Sequence, residues 1–461
     1  MKLSLLLLSF IGLLFALSTV QYELPSKASN PEVIDTDLPI VSITLDSLSI
    51  SRKRPGWFEI ISSDPLKQMG PYPISAIQSG DSSIVLPKKR ISFKFSHVED
   101  WTKGKKRRVL GLSKNDDWIL DSSPRDALVF RNIFNHRLYN MIRGKKETIN
   151  GFLSEVYING RYEGLYVLSE RIDKNFLKLE SSPYHNSLWA KVYKYFRSMS
   201  DKSKIYQVHR FHRMIYRSME KIEKKFGKKR MLKTVLYKSG TEGDGRAGGD
   251  MKLKNPVMQG MLQKYPHSKY LSKTSNLEDF LLFVNNSSVE EFKTDIWDKL
   301  DRDATLDYVI FLLVNTGFDN MHKNYYFLFQ NGKFKFLPWD FDETLMPHIP
   351  HTSWLFPKNG LLKRLMRGDD PHFLLELSKR WKSLRQGVLT KESINELFDD
   401  LYLKAKSSGA LERNDKRWNG GKKQGKLESD LSVTRIREWI DRRLYFIDDR
   451  ILNTSFFEIG L

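Results

Sequence analysis

Phe318-Asp319-Asn320-Met321-His322-Lys323-Asn324 and Pro338-Trp339-Asp340-Phe341-Asp342 bracket a short hairpin, and their reading decides the fold. Between them, Tyr325-Tyr326-Phe327-Leu328-Phe329 and Phe334-Lys335-Phe336-Leu337 read as strands joined by a turn at Asn331-Gly332. A carboxylate, an amide five residues later and another carboxylate just past a hairpin form a phosphotransfer layout. The first Asp can orient or deprotonate a hydroxyl. The Asn and the second Asp can hold Mg²⁺ on nucleotide phosphates, because this hard cation takes oxygen ligands. Asp and Asn are also ordinary loop and cap residues, so the D-x₄-N spacing alone says little. Two such loops flanking one hairpin, with Asp340 and Asp342 beside aromatic Trp339 and Phe341, say more.

Outward from the hairpin the pattern changes on each side. From Leu277 onward the spacing is helical, interrupted only at 318–345, with helices expected over 373–385, 391–405 and 433–453. Toward the N-terminus, β-like alternation begins at Leu38 and predicts strands over 39–45, 57–61 and 91–95. A second hairpin is expected at Val156-Tyr157-Ile158 and Leu165-Tyr166-Val167-Leu168, turning at Asn159-Gly160. Leu128, Ile133, Leu138 and Met141 predict a helix over 125–141, opened by Pro124. The expected class is therefore α+β. A mostly antiparallel, β-rich N-lobe covers 37–177, and a mostly helical C-lobe with an embedded β-hairpin covers 236–455.

A chain of 461 residues, 40% apolar and 12% aromatic, suits two lobes around a sizeable core. Lys and Arg number 76 against 55 Asp and Glu, a net charge of +21 that favours anionic partners. The absence of cysteine excludes disulfide scaffolds, thiol nucleophiles and cysteine metal sites. Residues 178–235 read as a basic helical insertion. Within 191–238 stand 16 Lys and Arg against 3 acidic residues, so about +13 of the total lies in a tenth of the chain. Aromatic Tyr193, Phe196, Tyr206, Phe211 and Tyr216 interleave there, and a glycine-bearing loop follows over 240–249.

Lys2 precedes an apolar run over 3–17, and Ala16-Leu17-Ser18 supplies small residues at a cleavage spacing. At about 15 residues the run is short of the roughly 20 needed to span a bilayer. Residues 1–18 are expected to be a cleaved signal peptide, before a polar leader over 19–36. A buried first helix and an uncleaved anchor are the competing readings. The mature protein is expected to be secreted or extracytoplasmic.

A phosphate-binding cation would suit a site of this kind, and Lys88 and Lys89 in Leu86-Pro87-Lys88-Lys89-Arg90 are the candidates; such a run is also an ordinary solvated edge. No G-x₄-G-K-[ST] occurs, so a Walker-type NTPase is unsupported. Gly80-Asp81-Ser82-Ser83 could cover phosphates as a small turn. His322 could act as a base beside Asp319 or simply hold its turn, and Trp339 could stack on a substrate or pack the hairpin. His348-x₂-His351 lies in a Pro-rich loop and is weak zinc spacing. Asn285-Asn286-Ser287 and Asn453-Thr454-Ser455 match glycosylation acceptors, a pattern short enough to arise by chance.

Taken together, these residues resemble the CotH kinase family of spore-coat and secreted atypical kinases, over about 38–180 and 232–452. The most specific pieces are Gly164-Leu165-Tyr166-Val167-Leu168-Ser169-Glu170-Arg171-Ile172-Asp173 and Pro338-Trp339-Asp340-Phe341-Asp342. Supporting pieces are Pro87-Lys88-Lys89, Asp126 with Arg131-Asn132, Leu236-Tyr237-Lys238, the 319–326 stretch, and Glu438-Trp439-Ile440 with Arg442-Arg443. Gln78-Ser79-Gly80-Asp81-Ser82-Ser83 stands where the family often has an Arg-Gly-Asn-Ser type turn.

The resemblance implies a protein-kinase-like two-lobed fold with ATP between the lobes. By position, Asp319 resembles the catalytic Asp, Asn324 and Asp340 the metal ligands, and Asp342 a second acidic member. Lys89 or Lys88 resembles the phosphate-contacting lysine, and Glu170 falls in the piece that would border the adenine. The expected function is an exported Mg²⁺-ATP-dependent protein kinase acting on Ser/Thr. The alternative is a catalytically weak kinase-like surface protein acting as an adhesin or binding module. The expected partner is a protein substrate, acidic in one reading, and the 191–238 charge could equally meet an anionic surface. That charge also fits nucleic acid, but an exported protein meets little of it, so no nucleic acid is expected.

Overall fold

The computed structural model describes residues 24–26, 34–80, 82–179, 232–240, 249–253, 260–266, 275–345, 347, 349–353, 359–418 and 429–453. The apolar run at the start and the basic segment up to residue 231 lie outside them. All but Leu24 fall in one compact unit formed by Pro25–Glu180 and Arg230–Leu461.

Seven strands build the N-terminal half. They are β1 (Ile40–Leu45), β2 (Arg54–Ile61), β3 (Met69–Ser79), β4 (Arg90–Phe95), β5 (Asp117–Asp121), β6 (Gly151–Ile158) and β7 (Arg161–Glu170). They form a barrel in the order β1-β2-β3-β4-β5-β7-β6. Every pairing but one is antiparallel; β1 and β6 close the ring in parallel, with Ile40 opposite Glu155. The expected antiparallel sheet is therefore a closed barrel, and closure removes both exposed sheet edges. Its interior takes Val41, Ile43, Phe58, Ile91, Phe93, Phe95, Trp118 and Leu168. Phe58 stacks on Phe93 at 5.0 Å and meets Phe95 edge-on at 5.1 Å. Each buried Phe contributes about 1.5–3 kcal/mol. The other face of β4 presents Arg90 and Lys94, each partly buried.

α1 (Arg131–Arg143) starts six residues later than its periodicity predicts. Asp126 is the reason. Its carboxylate accepts the backbone N–H groups of Leu128 (3.0 Å) and Arg131 (2.8 Å), holding the preceding residues in a turn with Val129 at φ 65°.

A second sheet has four strands. It combines β8 (Thr234–Ser239) and β9 (Met261–Tyr265) with the expected hairpin, described below after the helices that precede it. β8 takes in Thr234 and Val235, the last two residues of the expected insertion. Val235, Leu236 and Tyr237 are all buried, the pattern of a central strand covered on both faces. α2 (Ser275–Asn286), α3 (Val289–Lys299) and α4 (Arg302–Asn315) follow. α4 is buried at every position from Ala304 to Asn315, so it is the core helix of this half. The hairpin is β10 (Tyr325–Gln330) and β11 (Lys333–Pro338). α5 (Gly360–Met366), α6 (Pro371–Arg385), α7 (Lys391–Ser407), α8 (Ala410–Trp418) and α9 (Ser429–Asp448) complete the helical half.

The α+β expectation is met, with a β-rich N-terminal region and a helical C-terminal one. α8 docks on β7 at Gly164, where φ is 102° and an added Cβ would lie 2.6 Å from the Asn414 side chain. That close approach lets Asn414 accept the Leu165 N–H at 3.1 Å and Trp418 donate to the Glu163 carbonyl at 2.8 Å. Among the described residues no helix is long and apolar enough to cross a membrane.

Candidate active site

The hairpin register sets the site. Tyr325 pairs with Pro338, so Asn324 and Trp339 lie side by side at the open end, and the Trp339 N–H donates to the Asn324 carbonyl at 3.2 Å. Asn324 (φ 59°) and Asp340 (φ 64°) both occupy the left-handed region, which costs an ordinary residue about 1–2 kcal/mol. Asn320 holds them there. Its buried amide nitrogen donates to the carbonyls of Asn324 (2.9 Å), Trp339 (2.8 Å) and Asp340 (3.3 Å). The Tyr308 hydroxyl fixes Asn320 in turn, donating to its carbonyl at 2.5 Å. Asp319 opens the same short turn and pairs with Lys323 at 2.7 Å. Asp319, Asn324 and Asp340 thus sit on adjoining loop segments. The His322 Nε2 stands 4.0 Å from Asp319, and its carbonyl accepts the Gly249 N–H at 2.7 Å, tying down a neighbouring turn.

The cations are distributed differently from their order in sequence. Lys88 is buried; its ammonium donates to the Leu165 carbonyl at 2.6 Å and lies 4.7 Å from the Tyr166 ring. Burial pushes its pKa down to about 7. Lys89 donates to the Ile84 carbonyl at 3.1 Å. Both amines donate to backbone carbonyls, and the Lys88 ammonium also feels the charges of Asp121 and Asp126. Arg90 is the residue that faces it. Its guanidinium lies 5.3 Å from the Trp339 ring and 3.7 Å from Asp121, and it feels the charge of Asp340.

Lys238 comes from β8, opposite Tyr326, and its ammonium lies 5.8 Å from the Tyr326 ring and 5.7 Å from Trp339. Its pKa falls to about 8, through burial first and then through Arg90, Lys264 and Arg171, while Asp340 opposes the fall. Cations gathered in a largely desolvated place mark a site where an anion would be welcome. Trp339 is buried, packs on Tyr326 edge-on at 5.6 Å, and carries both cations at its ring.

Asp342 sits on a turn with Glu343, so the chain does bend between Asp340 and its neighbour carboxylate. Burial and the charges of Asp340, Glu343, Asp121 and Asp126 push its pKa up to about 7. Phe341 between them is buried, and its N–H donates to the Asn132 side chain at 3.2 Å. Asn132 also donates to Asp121 at 2.6 Å. Glu170 is fully buried and occupied by the chain itself: it accepts the Ser113 N–H (2.7 Å), the Asn150 N–H (2.9 Å) and the Lys146 ammonium (2.7 Å). Among the described residues no three His, Asp or Glu form a cluster fit for a metal. Mg²⁺ rarely needs one; it takes one or two carboxylates and completes its shell with phosphate oxygens and water. The oxygens of Asn324, Asp340 and Asp342, with two like charges raising one pKa, suit that mode.

A model of the family described as CotH kinase protein matches residues 78–212 and 208–447. The chain belongs to the CotH kinase family. No curated protein matches it. The matched span runs from the end of β3 to α9 and includes every residue at the hairpin base of this CotH kinase family member. Sequence reasoning missed Asn320, Arg90 and Lys238. Asn320 lay inside the quoted 319–324 stretch, and Lys238 ended the Leu236-Tyr237-Lys238 piece. Arg90 was legible only through the parity of β4, since Ile91, Phe93 and Phe95 point into the barrel and Arg90 cannot.

Proposed function

We infer that this chain is an exported atypical protein kinase that transfers the γ-phosphoryl group of ATP to Ser/Thr hydroxyls of a protein. The observation that carries the reading is the hairpin base, where Asn320 joins the Asn324 and Asp340 carbonyls beside Asp319, opposite Arg90 and Lys238. Asp319 is 27% exposed, so an acceptor hydroxyl can reach it. It orients that hydroxyl and takes its proton as the oxygen bonds to phosphorus and the bond to the ADP oxygen breaks. Arg90 and Lys238 bind the phosphates, and Trp339 keeps both cations in place. Asn324 and Asp340 would hold Mg²⁺, with Asp342 beside them. When bound, that ion neutralises charge on the phosphates.

The apolar run after Lys2 supports export, and the charge over 191–238 supports an acidic protein substrate or an anionic surface as partner. Titrating ATP calorimetrically with and without Mg²⁺, and following label transfer from ATP, tests the reading. Metal-dependent binding with transfer is expected. If ATP does not bind, or binds with no metal dependence, the kinase reading fails and the adhesin reading replaces it.

A further inference from the structure

Beyond the hairpin base, the chain reaches α9 and leaves a cavity of about 320 Å³ against it. Arg435, Glu438 and Arg442 line it from α9, with Trp439 beneath and Pro350 and His351 opposite. Two contacts fix its walls: the Trp439 indole donates to the Ile349 carbonyl at 2.7 Å, and Arg443 donates to the His351 carbonyl at 2.7 Å. Arg435 and Arg442 stand three and four residues from Glu438, spacings that normally pair charges on a helix. Neither makes an ion pair or side-chain hydrogen bond among the described residues, and both are exposed. The cavity thus has an apolar floor and a rim of two exposed guanidinium groups and one exposed carboxylate, Glu438, which leaves the rim net positive. That chemistry suits a side chain with an apolar stem and an anionic end. Pro347, which also lines it, follows Asp342 by five residues, a path of no more than about 18 Å.

We propose that this cavity binds an acidic side chain, carboxylate or phosphoryl, of the protein substrate whose hydroxyl is accepted at Asp319. The assignment of the peptide as a substrate rests on the kinase reading. Labelled peptides with one acceptor serine and one Glu, phosphoserine or Gln, moved stepwise along the peptide on either side of the serine, test it on the full chain. Fluorescence anisotropy reads binding, and label transfer reads kcat and KM. The Glu or phosphoserine peptide is expected to bind about tenfold tighter than Gln, with the gap in KM. The two anionic peptides show which anion is preferred.

Arg435→Glu with Arg442→Glu erases the gap; Arg435→Lys with Arg442→Lys keeps most of it, and melting curves show both variants folded. Equal binding of all three peptides, or a gap unchanged by charge reversal, overturns the proposal. A gap that is present and reversible without any phosphate transfer leaves the acidic subsite standing and defeats the kinase reading alone.

Discussion

Asn320→Asp exchanges one NH₂ group for an oxygen and leaves the side-chain shape nearly unchanged. In the folded chain that NH₂ makes two bonds of good length, to the carbonyls of Asn324 at 2.9 Å and Trp339 at 2.8 Å, and a longer one to Asp340. Losing two bonds worth about 1 kcal/mol each, and setting an oxygen against stranded carbonyls, should cost about 2–4 kcal/mol of stability. The site should suffer as well. Asn324 and Asp340 hold left-handed backbones that relax once the brace is gone, so Mg²⁺-dependent ATP affinity should fall more than tenfold. Urea denaturation and calorimetric titration measure the two effects. The new carboxyl should be protonated more easily than usual among carbonyls, so its extra cost over Asn320→Ala should shrink on acidification. Stability within about 0.5 kcal/mol of wild type, with unchanged ATP affinity, would refute the bracing role.

Asp319→Ala should lower phosphoryl transfer by orders of magnitude and leave ATP affinity within about threefold, measured by label transfer and calorimetry; transfer near the wild-type rate removes Asp319 from catalysis. Lys238→Met keeps the packing on Trp339 and removes the charge, so ATP binding should weaken about tenfold, read by the same titration. His136 is buried against Trp339 and Phe341, hydrogen-bonded to Thr148, and burial holds its pKa down to about 3, with Asp121 raising and Arg90 lowering it. The unfolded chain takes that proton near pH 6.5, so this stability is complete above 6.5 and is lost as pH falls toward 3. Urea midpoints should show about 2 kcal/mol lost between pH 7 and pH 5 from this residue, and His136→Gln should remove that part. Arg443→Met strands the carbonyls of Leu313, His351 and Ser353, bonded at 2.8, 2.7 and 2.6 Å, and should cost about 2–4 kcal/mol in a denaturation series.

Both tight turns were readable because Asn-Gly pairs tolerate positive φ, and Asn159-Gly160 and Asn331-Gly332 adopt it. The helices after Leu277 were readable by period. β3 was not, since Gly70, Pro71 and Pro73 look like breakers inside it. β8 was hidden by charge: Lys233 and Lys238 flank three apolar residues whose run already had the form of a doubly covered strand. At the site, spacing alone brought Asn324 back toward Asp340, because a two-residue turn fixes hairpin register. The cations were harder. Lys88, Lys89 and Arg90 are equivalent as charges in a row. Only the barrel, by drawing Ile91 inward, turns Arg90 toward Trp339 and leaves the lysines to backbone carbonyls. Glu170 shows the same limit, since its donors come from two other segments, at Ser113 and at Lys146 and Asn150.

The parallel closure of the barrel has a consequence for how the molecule is made. One of the two neighbours of β1 is β6, made more than a hundred residues after it, with Glu155 opposite Ile40. Until β6 arrives, β1 carries an open row of amides and carbonyls that any passing strand could occupy. Such non-local closure is slow, because the intervening loop must lose its freedom before any contact rewards it. The barrel can therefore close only once the chain has been made through β6.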